Sequence, residues 1–335
     1  MKFNNSIYFK IIIALLGYTY SIAQTVNTGD LTVATGTVIS TVSDFVNTEN
    51  GVFINDGETF IYAHFKNEGM VDHTETTGTT YFQGTAVQQI SGGSISYFYN
   101  VYFDNDASET ASFELSNEIS IANEATFNEG IVKNDDFGGR FIFENNAGHN
   151  GTYDGSHVDG LVQKIGDNSF EYPIGDVQLF RYAAISAPGS ANDVFSAKYF
   201  LETTNDKYPV ANLGPNLELI DNSEHWIIER TSGESDVLIT LSWSLDTTPL
   251  AILDSPLEAI HIARWGPINQ LWVDEGGAVD ENARTVTAAA ERGKIWVYRN
   301  GAKLIYAVDF TVTADTVTVT GTTDFTIFLD DVFEV

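Results

Sequence analysis

The chain places no proline before Pro173; all seven of its prolines stand at or after that position. From Gln24 to Tyr172 it offers Asn, Gly, Thr, Phe and Ile in short alternating runs instead. Proline cannot donate to a sheet ladder and is confined to edges and bulges. A long stretch without it suits backbone whose strands are hydrogen-bonded on both sides. Apolar residues recur there at period two: Phe113 and Leu115, then Ile119 and Ile121, then Phe141 and Phe143. That spacing predicts short strands with one buried face. A weak repeat punctuates them, in Phe53-Ile54-Asn55-Asp56-Gly57, Phe65-Lys66-Asn67-Glu68-Gly69 and Phe127-Asn128-Glu129-Gly130. Asn and Gly tolerate positive φ, so each Asn-acidic-Gly triplet predicts a tight corner. Strands and corners of this kind predict a short right-handed parallel β-helix-like solenoid of about five to seven coils over residues 24–160. An antiparallel sandwich of similar strands satisfies the same pattern, and the corners are too irregularly spaced to exclude it.

The composition changes near residue 172, and all five tryptophans lie at or after Trp226. Longer strands are predicted at Phe195–Phe200, His225–Arg230, Val237–Trp243, Ala259–Trp265 and Gln270–Val273. Lys294–Tyr298 and Leu304–Val308 flank Asn300-Gly301, a hairpin signal, and Thr316–Thr320 and Phe325–Leu329 follow. Turns at such intervals predict an antiparallel β-sandwich over 161–335. Helical periodicity is weak throughout; Ala283–Arg292 comes nearest, with a turn or two. The fold class expected is therefore all-β.

Residues 1–23 read as a signal peptide, with Lys2 and Lys10 ahead of an apolar run at Ile11–Leu16 and small residues Ser21 and Ala23 at the end. A short membrane anchor is the alternative, although the apolar run is well under the roughly 20 residues a spanning helix needs. A lipid anchor would require a Cys, and the chain has none. Removing Lys2 and Lys10 takes the formal charge from −30 to −32. That field argues against nucleic acid, whose phosphates require basic patches, and against adhesion to anionic lipid. It favours solubility and divalent cations. An exported chain without disulfides relies on its core. A secreted or cell-surface location is expected, with no membrane insertion after signal cleavage.

Several segments together resemble a known protein type. They are His157-Val158-Asp159-Gly160-Leu161-Val162-Gln163-Lys164-Ile165-Gly166, Phe170-Glu171-Tyr172-Pro173-Ile174-Gly175-Asp176 and Phe180-Arg181-Tyr182. With the Trp226 strand, the Arg264-Trp265 pair and Thr322–Ile327, they resemble modular surface and secreted adhesin-like proteins of Bacteroidota associated with type IX secretion. The resemblance implies a β-helix-like region leading into a β-sandwich, and an extracellular location rather than an activity. Such proteins usually end in a sorting domain with a basic tail, which Asp330–Val335 does not provide.

Candidate sites follow from residue chemistry. Calcium needs six to eight oxygens, which Asp104 and Asp106 around Asn105, the Asp135-Asp136 pair, Asp176 and the Asp330-Asp331 pair can contribute. Asp176 serves equally as a cap on local N–H groups in a turn where Pro173 fixes φ and Gly175 permits a positive one. Counted from Asp104, position twelve is Leu115, so no EF-hand is present. The six histidines show no zinc spacing, and no Gly-x-Ser-x-Gly elbow occurs. Tryptophan faces stack on sugars, which makes Trp265 and Trp272 candidate glycan platforms; a sandwich core of large aromatics uses the same residues. The expected function is a non-catalytic structural or adhesion module whose partners are other surface proteins or extracellular glycans. A carbohydrate-binding module is the alternative and a polysaccharide-active enzyme the third reading.

Overall fold

The computed structural model describes residues 24–290 and, beyond them, the strand segments 298–299, 302–303, 310–313, 316–319 and 333–334. Residues 1–23, expected to be a signal peptide, lie outside the described residues, as do Asp330-Asp331, the expected turn at Asn300-Gly301 and the expected strand at Phe325–Leu329.

The first half is a β-solenoid of about seven turns. Its first coil is Gln24–Asn27, Asp30–Val33 and Val38–Thr41, and its second is Asp44–Asn47, Val52–Asn55 and Glu58–Ile61. Each strand pairs in parallel with its counterpart one coil on, as Gln24–Asn27 does with Asp44–Asn47. One parallel sheet collects the first strand of every coil, and a second collects the rest. In the later coils two faces merge into single long strands, Ser96–Asp104 and Glu118–Glu129. Period two does the sorting: the odd residues of Phe113–Leu115 and the pair Phe141 and Phe143 are buried in one continuous core.

Inside, aromatic residues stack rung on rung. Phe82, Phe103 and Phe127 occupy equivalent positions, with ring centroids 5.7 Å apart at each step. At the first corner asparagines do the same. Asn27 Nδ2 donates to Asn47 Oδ1 at 2.9 Å and Asn47 Nδ2 to Asn67 Oδ1 at 2.9 Å. Asn67 Nδ2 then reaches Ser96 Oγ at 3.0 Å. Buried amides so connected have donors and acceptors matched, which removes the cost of leaving them dry and unpaired.

The glycines at these corners correct the expectation built on φ. Gly130 has φ 94°, but Gly57 and Gly69 are not in the left-handed region. A Cβ on Gly69 would lie 2.3 Å from the Gly51 and Thr48 carbonyl oxygens. Glycine is required there because the preceding coil's backbone is too close. The same holds at Gly175, where the positive φ falls instead on Val177, at 58°. A Cβ on Gly175 would meet the Leu179 carbonyl oxygen at 2.4 Å and the His157 ring at 2.5 Å.

The pairing changes hand at Val162–Ile165. That strand runs parallel to Arg140–Phe143 and antiparallel to Val194–Phe200. Val194–Phe200 in turn pairs antiparallel with His225–Ser232. A separate antiparallel sheet takes Phe170–Glu171, Ala183–Ile185, Val237–Ser242, Thr285–Ala290 and Ala278–Asp280 in that order. The solenoid core continues into these strands through Phe143, Phe170, Ile185, Phe195 and Val237. Two local expectations fail. Ala259–Trp265 is a strand only over Ala263–Gly266, a 3-10 turn at Leu257–Ala259 following Pro256. Thr285–Ala290 is a strand rather than a helical turn, because Val237–Ser242 offers it a full antiparallel ladder.

Candidate functional site

A cleft of about 960 Å³ opens between the His225–Ser232 strand and the sheet of Val237–Ser242 and Thr285–Ala290. Its walls are apolar, with Ile228, Ile239, Leu241, Val286 and Ala288 among them. Segments 216–221 and 251–265 border it.

The aromatic side chains at one end form a cluster. Trp265 and Trp272 pair across the hairpin Ala263–Gly266/Leu271–Asp274, with centroids 5.5 Å apart and rings inclined at 67°. Tyr208 packs 5.8 Å from Trp265 and 6.2 Å from Trp272. Trp272 is 6% exposed and donates from Nε1 to the Pro209 carbonyl at 3.2 Å. It is covered as a core residue is. Trp265 is half-buried and stays on the cleft wall.

Polar groups converge on the same space. Glu224 is buried and accepts from Tyr199 Oη at 2.6 Å, Thr247 Oγ1 at 3.0 Å and Thr248 Oγ1 at 3.0 Å. Burial, reinforced by the Glu224 charge, pushes the Tyr199 phenol well above its ordinary value. Arg264 Nε donates to Glu275 Oε1 at 2.8 Å. Burial holds Asp221 up at about 6 and lowers the His225 imidazole. His225 Nε2 and Trp243 Nε1 are buried with no hydrogen-bond partner among the described residues. A site with apolar walls and a few polar groups suits ligand binding. Its best-buried carboxylates, Glu224 and Glu275, are committed to protein donors.

The acidic candidates are dispersed. Asp104 accepts from Gln83 Nε2 at 3.0 Å and from Asn128 Nδ2 at 2.8 Å on the outer face of the solenoid. Asp106 is exposed on the following loop. Asp176 accepts the Leu201 N–H at 2.8 Å, tying the last parallel rung to the strand ending at Phe200. Asp135 pairs with Lys198, and Lys133 bridges Asp136 and Asp159. Among the described residues no group of three or more His, Asp or Glu is arranged to hold a metal ion.

Near Asp176 lies a second polar cluster. His157 is fully buried; its Nδ1 meets the Tyr153 carbonyl at 3.2 Å, and its Nε2 has no partner among the described residues. Burial brings its imidazole down to about 4 and raises Asp159 to about 6 against the pull of Lys133.

Of the tryptophans considered as platforms from the sequence, Trp243, Trp265 and Trp272 line the cleft, whereas Tyr208 and Glu224, which line it too, were not singled out. A signal was present in the adjacent apolar residues Trp226-Ile227-Ile228, where a half-exposed strand would alternate. Compared with family models, curated proteins and solved structures, the chain matches none.

Proposed function

We propose that this chain is a non-catalytic adhesion module of the cell exterior. The solenoid is its spacer, and the cleft beside His225–Ser232 makes the attachment. In this reading the solenoid is right-handed, the antiparallel half is a β-sandwich seated on its last rung, and residues 1–23 are removed on export. The cleft carries the proposal: its apolar walls are unoccupied by described residues, while Glu224 and Glu275 already serve Tyr199, Thr247, Thr248 and Arg264. Binding chemistry is supported by such walls, and acid–base chemistry by free, paired carboxylates. The acidic charge of −30 favours solubility outside the cell.

Protease shaving of intact source cells, with mass spectrometry of the released peptides and of the medium, tests the location. Peptides from both halves in those fractions are expected. Recovery only after lysis, in the periplasmic fraction, would overturn the surface reading. Trp265 on the cleft wall favours a second reading, carbohydrate binding. In that case soluble oligosaccharides protect Trp265 from acrylamide quenching, and Trp265→Ala abolishes the protected fraction.

A further inference from the structure

We propose that the cleft receives an extended peptide that adds as a strand to the edge of His225–Ser232 left unpaired among the described residues, and alternates apolar with basic side chains. This rests on the adhesion reading and names its partner.

The two walls meet the cleft differently. From Thr285–Ala290 alternate residues line it, Val286 and Ala288, and from Val237–Ser242 Ile239 and Leu241 do, joined by Ser242 where the strand ends. That is a sheet face. From the other wall four consecutive residues line it: Trp226, Ile227, Ile228 and Glu229. Successive side chains of a strand point to opposite faces, so a cavity touching all four lies along the strand's edge. Among the described residues this strand pairs only with Val194–Phe200. In an antiparallel ladder the N–H and C=O groups alternate between the two sides. Half of this strand's backbone groups therefore point toward the cleft. An unpaired edge beside an apolar groove is the arrangement of β-augmentation, where main-chain bonds give affinity and alternate side chains fill the groove. At the mouth Leu219 is 50% exposed and lines the opening, and exposed Leu250 and Ile268 adjoin the lining residues Ala251 and Pro267. Exposed aliphatic residues gathered around an apolar cavity mark an interaction surface.

Charge selects the partner. Glu218, Asp221 and Glu229 line the cleft, and among the described residues none has a basic side chain in an ion pair. Basic residues on the outward side of an added strand meet these acids. A second copy of a chain with formal charge −30 brings like charge instead, and a neutral sugar leaves both the strand edge and the acids unanswered.

The test uses an eight-residue peptide of alternating valine and lysine, the length of His225–Ser232. It is titrated into the full chain while tryptophan fluorescence is followed. A saturable change is expected, weakened at least about tenfold in each of three arms: N-methylation of alternate backbone amides, glutamate in place of lysine, and Glu229→Lys in the protein. Circular dichroism of Glu229→Lys should match the parent, since Glu229 is exposed. Equal binding of the N-methylated peptide overturns strand addition, and equal binding of the glutamate peptide overturns the charge argument. Concentration-dependent self-association that excludes the peptide identifies a second copy as the occupant. A change produced by cello-oligosaccharide but not by peptide assigns the cleft to sugar. Absence of any peptide response removes this proposal, whereas the adhesion reading falls only if shaving also places the chain inside the cell.

Discussion

Asn47 is bonded on every side: it accepts from Asn27 and donates to Asn67 Oδ1 at 2.9 Å and to the Met70 carbonyl at 2.9 Å. Asn47→Leu keeps the volume but strands its neighbours' amides in a dry interior. A loss of about 1–3 kcal/mol is expected by chemical denaturation. Lys164 is buried too, 1% exposed. Its ammonium donates to the Glu144 carbonyl at 2.6 Å and the Ala147 carbonyl at 2.9 Å, and lies 5.0 Å from the Phe170 ring. Lys164→Met should destabilise by leaving both carbonyls unpaired, with the loss read as a lowered denaturation midpoint. Histidines set the acid response. Burial lowers His149, His157 and His225, while unfolded imidazoles ionise near 6.5. The unfolded chain then takes up protons that the folded chain refuses, so stability falls as pH drops below about 6.5. Asp159 and Asp221, held up at about 6, gain protons in the folded state first and offset part of that loss below pH 6. Urea midpoints measured from pH 7 to 5 should fall first and then flatten, and His157→Gln should weaken the initial slope.

At the scale of elements, the corners are the sensitive points. Gly69→Ala drives a methyl into the Gly51 and Thr48 carbonyls. It should cost about 1–3 kcal/mol as overpacking does, whereas Gly29→Ala, with open space around its Cβ position, should cost little. Comparing the two thermal midpoints checks this. The corners and strands were legible in the sequence because their cause is local: period two sets the buried face, and Asn-acidic-Gly marks the bend. The reason for each glycine was not legible, since the atom that excludes a side chain at Gly69 belongs to the preceding coil. The cleft was hidden for a related reason. Which strand ends as an edge depends on the order in which Val194–Phe200, His225–Ser232 and Val237–Ser242 assemble, and residues far apart in sequence decide that order.

For the whole molecule, one core runs from Val33 to Val237 without a break at the change from parallel to antiparallel pairing. Residues 24–166 alone would expose Phe143, whose ring lies 5.0 Å from that of Phe170, and Val162, which pairs with Ala197. The last coils of that fragment should be cut by protease faster than the same coils in the intact chain, and timed proteolysis with mass spectrometry of the two provides the check. The stacked rungs also have a mechanical meaning. Equivalent positions in the first two coils are separated by 20 residues, as Gln24 and Asp44 are. A pull on the amino-terminal end parallel to the stack loads one rung at a time, because among the described residues the first coil's strands pair only with the second's. Every rung that peels away then releases roughly 70 Å of slack chain. In the proposed adhesion role such a stack would yield in instalments under flow, lengthening while its far end keeps its grip.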